Sequence, residues 1–498
     1  MASLEPIPGP PGWPLIGNLL DIDIENTVKS FDALAQQWGQ IYKLHLGGTV
    51  RIFVNSHELV DEVCSRKDFG KHIMGSLKSL AKLLPDGLFT AETAQETWGQ
   101  GRRVLNPVFA PVSIKNMFDD MLDITSQLAL KWARHGPETS IDVSDDFTRL
   151  TLDIIALTSM DTRFNSFYHD DLHPFVQHFG AIFSEIQRRS NRPAWYTWMQ
   201  WEANRQFDEN SEFLRNFCAD ILARRRHLES SGVIDRKDVF TAMLHRRDPV
   251  TGKLLEDSVI IDNMITFLFA GHDTTAGLLS FLVYHLIRSP DAYAKVQEEI
   301  DRVLQGGAMT VDHLNSLPYI KACLLETLRL EPPAQVFTVT PLVDDDVPVI
   351  IGKRYAVYRG QTIAIFVPRL HRDPAVFGDD ANEFRPDRMS EENFKRIPKH
   401  AFKPFGNNPR SCIGSDFAMQ EAIMATVVLF QKFDFSLVDP NYKLQYQPRL
   451  QRRTKDLYIK ARLRPGLDVL SLHRNFFTPA CMDTSTGLRH PHASDTAL

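Results

Sequence analysis

The feature that most constrains this chain is a 32-residue run without proline, DSVIIDNMITFLFAGHDTTAGLLSFLVYHLIR, from Asp257 to Arg288. Wound as an α-helix it would be about 48 Å long, enough to cross an entire domain. Ser289-Pro290 ends it and opens another helix, because proline suits a first turn, where its missing N–H costs nothing. A third helical run, PYIKACLLETLRL, stops at Pro332-Pro333.

Helical patterns dominate from about residue 93 to 330. Strand signals are fewer. GQIYKLHL, Gly47-Gly48 and TVRIFVN alternate around a glycine turn as a β-hairpin does. DVPVII and QTIAIFVPRL also read as strands, and Ser56 reads as the cap of the helix HELVDEVCSRK. The first twenty residues hold five prolines by Pro14 and read as an extended strip. A length of 498 residues would ordinarily suggest about three domains. No composition break appears before residue 465, so residues 1–465 read as one mainly α unit with small β-sheets. Residues 466–498 gain Ser, Thr, His and Pro and read as a loosely ordered tail.

Hydrophobic residues at 43% and charged residues at 24% exclude a disordered chain. A net charge of −6 gives no support for nucleic acid as a partner. Cys64, Cys218, Cys323, Cys412 and Cys481 are odd in number and lack CxxC spacing, so neither a disulfide framework nor a zinc ribbon is indicated. A reducing, cytoplasmic setting follows. Uncharged apolar runs of about 20 residues are missing, so the expectation is no transmembrane anchor.

Four constellations carry chemistry. In FKPFGNNPRSCIGSDFAMQEA, Cys412 sits in a Gly/Asn/Pro loop opening into a helix. The helix N-terminus and nearby Arg410 both favour a thiolate there. In AGHDTTAG, four polar residues, His272 to Thr275, interrupt an apolar face midway along the long helix. Thr274 either bonds back to the carbonyl four residues earlier or joins Asp273 in moving protons. Glu326 and Arg329 share a helix face, with Arg388 downstream. The same spacing in Glu202/Arg205, Glu212/Arg215 and Glu299/Arg302 reads as solvated surface pairs. Lastly, Trp98 and Arg102 lie four apart on a helix, the spacing of a stacked surface cation–π pair.

The run Phe405, Gly406, Arg410, Cys412 and Gly414 closely resembles the heme-binding signature of the cytochrome P450 family, and the other three motifs follow in family order. The resemblance covers nearly the whole chain to about residue 465 and implies the P450 fold, with heme b between the long helix and the Cys412 loop. It implies Cys412 as the axial ligand to heme iron, with Trp98, Arg102, Phe405 and Arg410 around the cofactor. Asp273 and Thr274 become the oxygen-activating pair, Gly271 the place where dioxygen nears the backbone, and Glu326, Arg329 and Arg388 a structural triad. Asn408 stands where the signature usually has glycine, and Met389 where an aromatic is common. Asparagine tolerates φ > 0, but Pro409 presses its predecessor toward extended geometry.

PDGLFTAE and PPAQVFTV are similar to the heme domains of soluble and self-sufficient fatty-acid hydroxylases. That places Phe89, Ala270, Ala334 and Val336 in the substrate pocket and implies a hydrophobic, lipid-like substrate, either a fatty acid or a polyketide. The hairpin has Thr49 and Phe53 where such relatives carry a carboxylate anchor, leaving Arg51 as the substitute if it faces the channel. The implied reaction inserts one atom of O2 into a C–H bond with electrons from a separate NADPH–P450 reductase. Lys395, Arg396, Lys399 and Lys403 form either its docking face or a solvated loop. Trp195, Tyr196, Trp198 and Trp201 read as packing between helices, with a lid or peripheral membrane contact as the other reading. A reductase-independent peroxide isomerase or peroxygenase, and a non-catalytic heme-binding remnant, are the alternative functions.

Overall fold

The structure, a computed structural model, describes residues 4–469 apart from 15, 24–26, 47–48, 72, 74–75, 191–193, 234–235, 237, 344–346 and 448–450, and apart from the side chains of 28, 76, 190, 194–195 and 408. The Gly47-Gly48 turn, the Trp195 side chain, Cys481 and the tail from 470 onward therefore lie outside the described residues.

The longer helices are α1 (Thr27–Trp38), α2 (His57–Ser65), α3 (Glu96–Leu105), α4 (Phe118–His135), α5 (Val143–Met160), α6 (Pro174–Ser190), α7 (Trp201–Ser230), α8 (Asp257–Arg288), α9 (Pro290–Leu304), α10 (Pro318–Leu330) and α11 (Ser415–Lys432). Helix α8 is the proline-free run, and α9 begins on Pro290 as its sequence suggests. A helix apolar on all sides belongs inside, and α8 is buried along most of its length from Val259 to Leu286. The almost wholly buried α5 packs along it. Gly271 sets their closeness: a Cβ there would meet Ile155 Cγ1 at 2.7 Å. The missing side chain is thus filled by α5, whereas the sequence reading gave that space to dioxygen. Thr151 of α5 also donates to the His272 carbonyl at 2.8 Å, and the His272 ring bonds the Leu268 carbonyl at 2.6 Å.

The strands are β1 (Ile41–Leu46), β2 (Thr49–Val54), β3 (Phe69–Gly70), β4 (Ile141–Asp142), β5 (Val336–Pro341), β6 (Val349–Ile351), β7 (Tyr355–Val357), β8 (Thr362–Phe366), β9 (Phe433–Leu437) and β10 (Tyr458–Leu463). One sheet runs β1-β2-β8-β5-β3, another β4-β10-β9, and β6 pairs with β7. β1 and β2 form the expected hairpin, in register from Ile41↔Val54 to Leu46↔Thr49. The expected strand QTIAIFVPRL stops at Phe366, and Val367–Leu370 turns into a helix with Pro368 in its first turn.

Three local expectations change. Ser56 makes no side-chain cap; the His57 N–H donates instead to Asp373 Oδ2 at 2.7 Å, a carboxylate being the better partner for a positive helix end. Of the three extra Glu/Arg spacings, only Glu202–Arg205 is an exposed surface pair, at 2.7 Å. Arg215 pairs with buried Asp262 at 2.6 Å, and Glu299 accepts from the Tyr319 and Ile320 N–H groups to cap α10. Tyr196, Trp198 and Trp201 are 43%, 81% and 73% exposed rather than packed between helices. Among the described residues no helix is long and apolar enough to cross a membrane.

Glu326 and Arg329 are fully buried on α10 and doubly bonded, with both N···O distances 2.8 Å. Arg388 brings Nε within 3.5 Å of the same carboxylate. Arg329 also donates to the carbonyls of His371, Ala381 and Glu383. His371 in turn accepts the Lys403 N–H through Nε2 at 2.8 Å, which carries the restraint into the segment before Cys412. Burial and the Arg329 charge drop His371 to about 3, so it stays a neutral acceptor. Removing one member of a buried pair strands the other charge, so Glu326→Ala is expected to cost about 3–5 kcal/mol in denaturant unfolding. Glu202→Ala is expected to change little, and equal losses in the two variants would contradict this reading.

Candidate active site

The loop before α11 is shaped by Gly406, whose φ is 79°, and by a 3-10 turn over Asn408–Arg410. Asn408 therefore avoids the left-handed conformation. Its replacement of glycine and the following proline are accommodated by that turn. The Cys412 N–H closes the loop on the Phe405 carbonyl at 2.8 Å. Phe405 is half-buried against the main core.

Among the described cysteines only Cys412 is accessible; Cys64, Cys218 and Cys323 are buried. Cys412 is also desolvated enough that burial raises its thiol, opposed by the Gly414 N–H and the Arg102 charge. The two observations agree for a sulfur facing interior space rather than bulk water. This corrects the sequence expectation in two ways. Desolvation outweighs the helix end, so the thiol holds its proton until it meets a cation strong enough to displace it, as metals do. The cation acting on it is Arg102.

Arg410 is engaged elsewhere. It donates to the Ala91 carbonyl at 2.7 Å and lies over the Trp98 ring at 4.5 Å, so Trp98 stacks on Arg410 and not on Arg102. Its Nη1 is buried without a hydrogen-bond partner among the described residues. Lys71, a residue the motifs did not flag, joins this corner through the electrostatic influence of Arg410 and Glu92. Its ammonium donates to the Phe89 carbonyl at 2.7 Å. Burial lowers all three cations: Lys71 to about 7, Arg410 to about 10, and Arg102 below its ordinary value. Three desolvated cations, one with an orphaned donor, beside an accessible thiol suit a planar metal cofactor bearing carboxylates. Heme fits this donor set.

The apolar side is built from the loop Leu84–Ala91. Asp262 Oδ2 and Asn263 Oδ1 of α8 accept the Asp86 and Leu88 N–H groups at 2.9 and 3.0 Å. A Cβ on Gly87 would meet Thr266 Oγ1 at 2.7 Å, so the loop lies tightly on the helix. Phe89 is thereby held 6.3 Å from Phe269, which stacks on Phe179 and Phe183 at 4.3 and 4.9 Å. The sequence reading missed these three rings: Phe179 and Phe183 lie one turn apart on α6, and Phe269 comes from α8, about 90 residues on. Ala270 is half-buried nearby, while Ala334 and Val336 are exposed where β5 begins. Arg51 is half-buried, its guanidinium lowered by desolvation.

In the polar stretch of α8, Thr274 donates to the Ala270 carbonyl at 3.1 Å, so the back-bond foreseen from its spacing is present. Asp273 is paired with Arg453, Oδ1 to Nη2 at 2.5 Å. Thr275 faces Glu421 of α11, a fully buried carboxyl raised well above the ordinary range by desolvation, with the Thr275 contact opposing. In the segment before the Cys412 loop, Lys395 and Arg396 are neutralised by Glu391 and Glu392, and Lys403 donates to Asn407 Oδ1.

The sequence pattern of the cytochrome P450 family matches residues 7–460. A bifunctional cytochrome P450/NADPH–P450 reductase of Aspergillus oryzae is 45% identical over 470 residues, 94% of this chain and 42% of that protein. Another of that description, ascE of Acremonium egyptiacum, is 44% identical over 94% of this chain and 44% of its own length. A self-sufficient cytochrome P450 monooxygenase of Penicillium freii, CYP505E4, is 40% identical over all of this chain and 47% of its own. The chain thus spans less than half the length of these curated relatives. With the long central helix, the accessible Cys412 and the cation corner in place, the chain belongs to the cytochrome P450 family.

Proposed function

We propose that this chain is the heme–thiolate half of a monooxygenase that inserts one oxygen atom of O2 into a C–H bond of a lipid-like substrate. The observation that carries the reading is the accessible Cys412 sulfur acting with Arg102, beside the desolvated cations Lys71, Arg102 and Arg410. When bound, the heme supplies dioxygen activation and the oxidising power for C–H insertion. Cys412 would supply the sulfur ligand to its iron. Arg102, Arg410 and Lys71 would hold its carboxylates, with Trp98 packed under Arg410 and Phe405 behind the loop.

The residues of this chain do the rest. Thr274 has its hydroxyl proton on the Ala270 carbonyl, which leaves its oxygen lone pairs free to accept. Asp273 and Thr274 move protons to the oxygen side. Phe89, Ala270, Ala334 and Val336, with Phe269 and Phe183, exclude water and orient an apolar chain. Arg51, a half-buried cation, suits an acidic head group, which favours a fatty acid or acidic polyketide. The exposed Trp198 and Trp201 suit pickup of such a substrate from an apolar surface in the cytoplasm. Electrons come from an NADPH–P450 reductase, the activity that the names of the Aspergillus and Acremonium relatives carry.

Cys412→Ala is expected to abolish the thiolate-type carbonyl spectrum of the reduced protein; an unchanged spectrum would remove the proposed ligand. With added reductase and NADPH, Thr274→Ala is expected to keep heme while product per NADPH falls roughly tenfold or more and hydrogen peroxide appears. Full coupling in that variant would sink the relay.

Lys71 yields a pH test. Its folded value near 7 lies below the ordinary 10.5, so between them the unfolded chain binds the extra proton and heme-free stability rises with pH. Lys71→Met is expected to flatten that rise in heme-free unfolding from pH 7 to 10. A slope identical to the unaltered chain would show that Lys71 is not desolvated.

A further inference from the structure

The segment leaving α10 is gripped from two sides. Glu331, Pro332 and Pro333 are buried as they break the helix, and Ala334 and Val336 then emerge at the start of β5. On one side the Val367 N–H donates to the Gln335 carbonyl at 2.9 Å, next to the Val336↔Phe366 pairing with β8. On the other side lies a C-terminal arm, Gln451–Lys455. It pairs with Gln445–Gln447 through Tyr446↔Thr454, the Gln447 N–H to the Arg453 carbonyl and the Lys455 N–H to the Gln445 carbonyl.

One residue of the arm, Arg452, touches everything this segment leans on. Its N–H donates to the Pro333 carbonyl at 3.0 Å. Its carbonyl oxygen lies against α8 at Gly277, where a Cβ would meet it at 2.8 Å, so the arm crosses the helix where a side chain is missing. Its guanidinium folds back to Glu331, Nη1 to Oε2 at 2.7 Å, and lies 3.7 Å over the Tyr446 ring. Charge and closeness hold the Glu331 pair, since neither atom is aligned for a hydrogen bond. α8 and Pro333 thus meet the same residue, and its placement sets how far apart they lie.

Glu331 is the acid on which that placement depends. Its other oxygen is 3.5 Å from Arg372 Nη2 and 4.0 Å from His285 Nε2. Burial drops His285 to about 4, so it brings no charge. Arg329 is committed to Glu326. One nearly buried carboxylate therefore serves two arginines, and it belongs to none of the four sequence motifs.

We propose that Glu331 and Arg452 are specificity-determining residues: they fix the separation between α8 and the Ala334–Val336 stretch, and so decide which C–H bond of the substrate is presented. Both act by positioning, through the two walls that carry Ala270 and Ala334. A small displacement of either wall changes which carbon reaches the reacting position. This role rests on the function proposed above and adds to it the origin of its regiochemistry.

The test uses the heme-bound chain and compares Arg452→Lys, Arg452→Gln, Glu331→Gln, Gly277→Ala and the Glu331→Gln/Arg452→Gln double variant. The resting protein is titrated with imidazole and with 4-phenylimidazole, a narrow and a bulky probe of the space beside the iron. Dodecanoic acid is then turned over with added reductase and NADPH. Arg452→Gln and Glu331→Gln are expected to keep the thiolate-type carbonyl band, to change the ratio of the two dissociation constants about threefold or more, and to redistribute hydroxylation along the chain. Arg452→Lys should fall between these and the unaltered protein. Gly277→Ala, which alters no charge but pushes the arm off α8, should move both readouts. The double variant should go no further than the larger single change. A merely structural role would lower the thermal midpoint and total product with the ratio and the distribution unmoved, and that result overturns the proposal. If Glu331→Gln or Arg452→Gln does not fold, Arg452→Lys and Gly277→Ala decide, and unmoved readouts in both overturn it. Absence of the carbonyl band in the unaltered chain overturns the functional reading, and this role with it. An intact band without oxidation of dodecanoic acid removes the fatty-acid reading, and the imidazole ratio alone then decides the role of Glu331 and Arg452.

Discussion

Glu326 and Arg329 carry their charges with no exposure to solvent, 2.8 Å apart on one helix face. Charges so far from water persist only where every remaining donor and acceptor is met. Arg329 turns its other N–H groups on the carbonyls of residues 371, 381 and 383, and Glu326 also accepts the Arg385 N–H. A stretch with little regular secondary structure is thereby held to a rigid helix. His371, kept neutral by the same surroundings, extends that hold to Lys403 and toward the loop of Cys412. The position of the sulfur thus depends on an ion pair that takes no part in its chemistry.

Helix α8 plays the complementary role. Its polar side chains do not form one cluster. Asp262 and Asn263 pin the loop of Phe89, Asp273 faces the C-terminal arm, Thr274 bonds its own helix, and Thr275 faces Glu421. These buried polar groups find partners either on the helix itself or in separate parts of the chain, as a helix buried on all sides requires.

What the sequence makes legible is local. The absence of proline over 32 residues marks α8 to its ends, and the hairpin register follows from a two-residue gap. The neighbourhood of Cys412 marks it as the chemically interesting cysteine. Partners set by the fold are another matter. Spacing placed Arg102 beside Trp98, yet the ring lies under Arg410, a residue of the Cys412 loop more than 300 positions away. Spacing likewise made Arg215 a mate for Glu212, when a buried carboxylate on α8 competes for it better than water does. Lys71, His371 and Arg453 carry no local signature at all. Their importance comes from desolvation and from contacts across tens to hundreds of residues, neither of which a window of sequence contains.

The crossing of α8 by the C-terminal arm bears on how the molecule is made. During synthesis Asp273 leaves the ribosome with no counter-charge, and Arg453 follows 180 residues later. At ordinary elongation speeds that interval is roughly 10 to 40 seconds. β4 waits longer still for β10 before it can pair. The nascent chain therefore carries an unsheltered acid in its most apolar helix until translation has nearly passed the heme domain, and co-translational chaperones have that window in which to hold it.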